Sequence, residues 1–206
     1  MDEAGDLRRP PAGRGMRIGL FGGSFNPAHE GHRLVALQCL KRLALDRIWV
    51  MVSPGNPLKD RSDLAPLAER CAIAREVLDH PQIDITGFEA ALGYHYTYET
   101  VDYLTTSEPD VHFVWLMGAD SLLSFDRWVR WEEIARRMPM AIYARPGTGF
   151  RATRSKAAIA LEAYRLPEER ARELAGSLPP AWVYLRGITS TASSTAIRAA
   201  RRSDSG

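Results

Sequence analysis

The stretch Gly22-Gly23-Ser24-Phe25-Asn26-Pro27-Ala28-His29-Glu30-Gly31-His32 follows directly on the apolar run MRIGLF (16–21). An apolar strand that runs through two glycines and a proline into helical apolar spacing is the opening of a β-turn-α unit, and it leaves few folds open. Gly22 and Gly23 let the backbone bend sharply and approach a ligand where a Cβ would clash, and Pro27 fixes the entry to a helix that should begin near Ala28. A helix N-terminus so placed presents N–H groups and the positive end of its dipole to an anion. His29 and His32 are three apart and are expected to share a face of that helix. Gly31 between them costs a helix about 1 kcal/mol against alanine, so a ligand base or a neighbouring strand should need the bare backbone. The stretch reads as a phosphate cradle with two imidazole donors.

Further strand patterns are RIWVMV (47–52), IDITGF (83–88), VHFVWLMG (111–118), PMAIYAR (139–145) and AWVYLRG (181–187). Helical apolar spacing marks 32–45, 67–80, 96–107, 131–138, 155–166 and 193–202. That alternation predicts an α/β fold: a Rossmann-like, doubly wound, mostly parallel sheet covered by helices on both faces, with ligands at the carboxyl ends of the strands. Residues 16–206 form one domain in this reading. Residues 1–15, rich in charge, Pro and Gly, are expected to be a disordered tail. The connections SPGNPLKDRSDLAP and ARPGTGFRATR are long and basic, and loops of that kind are more often functional than idle.

Composition narrows the function classes. With 45% hydrophobic residues, 25% charged and a net charge of +2, nothing calls for a nucleic-acid partner, and any basic chemistry must be local. Cys39 and Cys71 lie in helical patterns without a CxxC neighbour, as buried thiols in a reducing compartment do. No leader or apolar run of about 20 residues appears, so no membrane association and a cytoplasmic location are expected. His29 and His32 lack HExxH spacing and a third partner, which disfavours a zinc site. The turn is not GxGxxG and RIWVMV ends at Ser53 rather than an acid, which disfavours dinucleotide binding of the NAD-dehydrogenase kind.

GGSFNPAHEGH after the first strand, together with SSTAIR near the end, resembles the HxGH nucleotidylyltransferase superfamily and, within it, the bacterial nicotinate-nucleotide adenylyltransferases. Asn56-Pro57-Leu58-Lys59, Tyr96-Thr97, Gly118-Ala119-Asp120-Ser121-Leu122-Leu123 with Trp128, and Arg145-Pro146-Gly147 are similar as well, so the likeness spans nearly all of 16 to 202. It implies transfer of the AMP moiety of ATP to the 5′-phosphate of nicotinic acid mononucleotide, with Mg²⁺ held mainly by phosphate oxygens and water and no dedicated protein metal site.

The resemblance also implies roles. His29, His32 and Arg198 would be catalytic. Gly22, Gly23, Ser24, Phe25, Gly31, Gly118, Asp120, Ser193, Ser194 and Thr195 would bind ATP. Asn56, Lys59, Tyr96, Thr97, Trp128, Val129 and Arg145 would surround the acceptor. Asp120 has a plainer alternative as a helix cap, and Trp131 is expected to be packing. Ala192 stands where relatives usually carry isoleucine, and Tyr94-His95-Tyr96-Thr97-Tyr98-Glu99 departs from the usual Ser-Tyr-Thr segment. Nicotinamide mononucleotide or phosphopantetheine as acceptor, or a silent nucleotide-binding regulator, remain alternatives at this level.

Overall fold

The computed structural model describes residues 6–55, 64–144, 146, 148–188, 190, 192 and 194–203. Among them seven strands form one sheet: β1 (Arg17–Gly23), β2 (Arg47–Val52), β3 (Ile83–Thr86), β4 (His112–Gly118), β5 (Met140–Tyr143), β6 (Arg165–Leu166) and β7 (Trp182–Leu185). Their order is β3-β2-β1-β4-β5-β7-β6, and every pairing is parallel. The helices are α1 (Glu30–Arg42), α2 (Leu67–Val77), α3 (Phe88–Ala91), α4 (Thr97–Ser107), α5 (Ala119–Leu122), α6 (Trp131–Arg137), α7 (Gly149–Ala152), α8 (Lys156–Ala160) and α9 (Ser194–Ser203).

The strands are apolar at successive positions because both faces are covered. Phe21, Val50, Val52, Val114 and Leu116 face a core closed by Val35, Ala36 and Cys39 of α1, Cys71 and Ala74 of α2, and Leu174. Their neighbours Leu20, Trp49, Met51, Phe113 and Trp115 face the opposite core, closed by Val101 and Leu104 of α4, Leu122 of α5 and Ile134 of α6. The period of two along each strand thus sorts alternate residues into two hydrophobic layers. Burial pushes the Cys39 thiol up to about 12 and the Cys71 thiol to about 11, so both stay protonated at neutral pH.

Three expectations are corrected. Residues 6–15 are not a free tail: Asp6 pairs with Arg75, its carbonyl accepts from the Gly87 N–H at 2.6 Å, the Arg8 carbonyl accepts from Thr86 Oγ1 at 2.7 Å, and Arg9 meets Glu108 at 2.5 Å. Charges that suggested disorder are satisfied by the fold. The helix expected over 155–166 is split into α8, a 3-10 turn (Glu162–Tyr164) and the two-residue edge strand β6. IDITGF ends as a strand at Thr86, and Phe88 opens α3. Among the described residues no helix is long and apolar enough to cross a membrane.

Candidate active site

The strand order reverses beside β1, which pairs β2 on one side and β4 on the other. A crevice opens at such a switch point outside the carboxyl ends of the strands, and the chain puts Gly22 and Gly23 there from β1, Ser53 from β2 and Gly118 from β4.

The turn out of β1 is built around rings. Phe25 adopts a left-handed backbone (φ 44°), and its side chain is 2% exposed. That ring packs edge-on against His32 at 4.9 Å and Phe21 at 5.5 Å, and Gly23 lies beneath it, where a Cβ would come within 3.2 Å. What the Phe25 side chain supplies is therefore the seat of His32.

α1 begins at Glu30, not near Ala28, and His29 is its N-cap, in extended conformation (φ −153°, ψ 168°). The two histidines share one side of the helix start, as expected, though His29 does so as the N-cap and not from within the helix. They cap the helix reciprocally: His29 Nδ1 accepts from the Gly31 N–H at 3.1 Å, and His32 Nδ1 accepts from the His29 N–H at 3.2 Å. The imidazole nitrogen does the work usually given to Ser or Asp at a cap and Glu three residues later. The rings lie 3.8 Å apart, inclined at 31°. Because Nδ1 of each neutral ring accepts a hydrogen bond, its proton sits on Nε2, so both present N–H donors away from the helix backbone.

The bare backbone at Gly31 has a cause within the fold: a Cβ there would stand 2.9 Å from the His29 ring, so the glycine makes room for the imidazole cap. Gly22 is similar, since its Cβ would meet the Trp115 ring at 2.9 Å.

The carboxyl-terminal segment closes on this turn. Ser194 Oγ, at the start of α9, donates to the Pro27 carbonyl at 2.9 Å, and Arg198 Nη1 donates to the Asn26 carbonyl at 2.6 Å. Ser190 passes beside Gly31, its Cβ 3.4 Å from where a glycine Cβ would be. Segments far apart in sequence thus bring Arg198 and Ser194 onto the turn that leads into the histidine pair. Thr195 is exposed in the first turn of α9; Ser193 lies outside the described residues.

A cavity of about 520 Å³ continues the crevice across the switch point. It brings Gly22, Gly23, Tyr96, Thr97, Trp128 and Val129 together, all named from the sequence. Tyr96 is the N-cap of α4, and Glu99 Oε2 accepts from the N–H groups of both Tyr96 and His95 at 2.9 Å, which accounts for the unusual glutamate in this segment. The Trp128 ring stands perpendicular to Trp115 at 6.4 Å and packs on Phe125 at 5.3 Å. Trp131 packs on the other side of Phe125, at 5.6 Å. Asn56, Lys59 and Arg145 lie outside the described residues. Asp120 does not cap α5, whose N-cap is Gly118 with no side-chain bond.

Four lining or supporting residues were not read from the sequence. Trp115 forms a wall, Arg127 is a cation at the rim, and Glu89 is a buried acid that accepts from Thr100 Oγ1 at 2.6 Å. Burial raises the Glu89 pKa and Glu99 adds to the effect, against the Thr100 hydrogen bond. The fourth is Arg70 of α2, 1% exposed and, among the described residues, hydrogen-bonded to three carbonyls. Its signal was an arginine on the apolar stripe of α2, three residues after Leu67 and four before Ala74. Among the described residues no group of three or more His, Cys, Asp or Glu side chains is placed to hold a metal ion.

A parallel sheet with a crevice at its switch point suits the binding of a nucleotide. The cytidylyltransferase-like family model matches residues 20–200, and the chain belongs to that family. A protein of Bradyrhizobium sp. (strain BTAi1) named "Probable nicotinate-nucleotide adenylyltransferase" is 52% identical over 183 residues, 89% of this chain and 95% of the relative. One of the same name from Brucella abortus (strain 2308) is 50% identical over 89% of this chain and 94% of its own length. Within the family the chain therefore stands among the nicotinate-nucleotide adenylyltransferases. The fold is shared with Plasmodium falciparum nicotinic acid mononucleotide adenylyltransferase, solved complexed with NaAD (TM-score 0.66) and with APC (TM-score 0.64), each 16% identical over 89% of this chain and 83% of the other.

Proposed function

We propose that the chain transfers the adenylyl group of ATP to the 5′-phosphate of nicotinic acid mononucleotide, giving deamido-NAD and pyrophosphate, in the cytoplasm. The observation that carries this reading is the meeting of the two motif segments: Arg198 on Asn26 and Ser194 on Pro27, two to three residues before His29.

A phosphate oxygen of the acceptor attacks the α-phosphorus, the bond from that phosphorus to the β-bridging oxygen breaks, and the electron pair leaves on pyrophosphate. The attacking phosphate is a dianion at neutral pH, its second pKa being about 6, so no general base is needed. Catalysis then consists of aligning two polyanions and stabilising charge as it moves to the leaving group. His32 Nε2–H would meet the α-phosphate and His29 Nε2–H the triphosphate. Arg198, with Ser193, Ser194 and Thr195 at the α9 N-terminus, would hold its far end.

Bound Mg²⁺ would be held by phosphate oxygens and water, with no side chain of this chain required, and would supply neutralising charge for the departing pyrophosphate. A donor set of imidazole N–H and backbone N–H groups fits phosphate oxygens rather than the ion. Gly118 and Asp120 would take the ribose. Across the crevice Trp128 offers a flat face to the pyridine ring, and Thr97, the Val129 N–H, Asn56, Lys59, Tyr96 and Arg145 would surround its carboxylate and phosphate.

Pyrophosphate release from ATP and Mg²⁺ is to be measured with nicotinic acid mononucleotide, nicotinamide mononucleotide and phosphopantetheine in turn. Fastest release with the first is expected. A preference for either of the others reassigns the acceptor, and no release with any overturns the reading.

A further inference from the structure

Arg70 is the least expected side chain near the site. A guanidinium is expensive to bury, and one that is buried is normally matched by a carboxylate. Arg70 is 1% exposed, yet among the described residues it forms no ion pair. Its Nη1 donates to the carbonyls of Ser24 and Ser53, each at 2.8 Å, and its Nε donates to the Ala65 carbonyl at 2.8 Å.

Those carbonyls belong to three separate segments of the site, two of which are also tied by the Ser53 N–H, which donates to the Gly23 carbonyl at 2.9 Å. Ser24 opens the turn that carries Phe25 and the histidine cap. Ser53 ends β2 and lines the 520 Å³ cavity. Ala65 stands just before α2, and its N–H donates to Asn26 Oδ1 at 3.2 Å, the residue whose carbonyl receives Arg198. One planar fork therefore fixes the histidine-bearing turn against the wall of the cavity, and through Asn26 it reaches the α9 arginine. A lysine has the charge but not the rigid fork, and its single ammonium cannot span the same three acceptors.

We propose that Arg70 is a positioning residue: it sets the distance between the histidine turn that receives the triphosphate and the cavity that receives the acceptor. This rests on the adenylyl-transfer reading for its kinetic consequences, though not for its structural ones. Positioning acts on the reacting geometry more than on binding, and a displacement of about 1 Å can lower a rate about 100-fold.

The test uses Arg70→Lys, Arg70→Met and Arg70→Ala in the full chain. Each is assayed well below its own melting temperature with folding checked by circular dichroism. Arg70→Lys is expected to lower kcat by at least about 10-fold, with KM for ATP and for the acceptor changing less, and added guanidinium ion at low millimolar concentration should restore part of the activity of Arg70→Ala. Imidazole ¹⁵N shifts supply a readout independent of turnover. The wild-type chain should show His29 and His32 as Nε2–H tautomers, and the Arg70 variants should show averaged tautomers for at least one.

A folded Arg70→Lys with kcat within twofold of wild type and unchanged tautomers overturns the proposal. So does a rate loss that vanishes on cooling, which would mark Arg70 as a stabilising residue only. Should Arg70→Met fail to fold, Arg70→Lys decides alone. If wild type releases no pyrophosphate, the adenylyl-transfer reading falls, and the tautomer comparison still decides the role of Arg70.

Discussion

The two ends of the sheet use arginine in opposite ways. At the amino end Arg47 grips Asp84 with two bonds of 2.6 and 2.8 Å, Arg17 meets Asp46 at 3.3 Å, and Arg14 approaches Asp110 at 3.6 Å. Each of these three cations is matched by a carboxylate of a neighbouring segment, whereas Arg165 at the start of β6 lies over the Trp182 ring at 5.1 Å. At the carboxyl end Arg70 and Arg198 donate to main-chain carbonyls of Ser24, Ser53, Ala65 and Asn26, and among the described residues neither forms an ion pair with a carboxylate. A carbonyl dipole holds a guanidinium in place without cancelling its unit charge. The charges of Arg14, Arg17 and Arg47 are thus matched at the amino end, whereas Arg70 and Arg198 keep positive charge beside the β1 turn for a ligand carrying several negative charges.

If that contrast is functional, substitutions at the carboxyl end should alter turnover and substitutions at the amino end should alter only stability. The largest effect is expected for His32→Ala. It should lower kcat by at least about 100-fold with the fold intact, since a preorganised donor to developing charge is lost. Near-normal turnover would remove His32 from the mechanism. Next, Trp128→Ala should raise the acceptor KM about 5- to 10-fold by loss of a stacking face, leaving the ATP KM within twofold. A change confined to ATP would move Trp128 to the other half of the site.

At the amino end, Asp84→Asn should leave kcat and both KM values unchanged and lower unfolding stability in urea by about 1 kcal/mol or less, because the pair is partly exposed. An altered kcat would break the division between the two ends.

The smallest effect sharpens the boundary between them. Burial raises the Glu89 pKa, so the folded state holds this proton more tightly than the unfolded chain, whose ordinary value is 4.5. The native carboxyl therefore favours folding most at low pH, and that advantage is lost as pH rises from 4.5 through the raised native value. Glu89→Gln, which keeps an acceptor for Thr100, should raise Tm relative to wild type at neutral pH, with the difference shrinking toward pH 4.5. A difference independent of pH would show that the site does not raise the carboxyl's pKa.

The same contrast explains which parts of the molecule were legible in the sequence. β1, β2 and β4 declare themselves because strands covered on both faces carry runs of successive buried apolar residues after their polar first residue. β6 does not, since two residues at a sheet edge carry no period and Arg165-Leu166 reads as the end of a helix. The start of α1 was displaced because an imidazole cap is absent from the usual set of capping residues, and Gly31 leaves the space that the His29 ring needs. The histidines, Tyr96, Thr97, Trp128 and Arg198 stand out in the sequence because each lies in a contiguous motif. Arg70 does not, because its partners are carbonyls of three separate loops, and a carbonyl has no letter in a sequence.

The most direct measurement is a crystal structure of the chain with a non-hydrolysable ATP analogue and Mg²⁺. The account predicts the α-phosphate within hydrogen-bond distance of His32 Nε2 and the triphosphate lying between the histidine pair and Arg198. A triphosphate seated elsewhere, with Arg198 and the histidines not sharing it, would contradict the account.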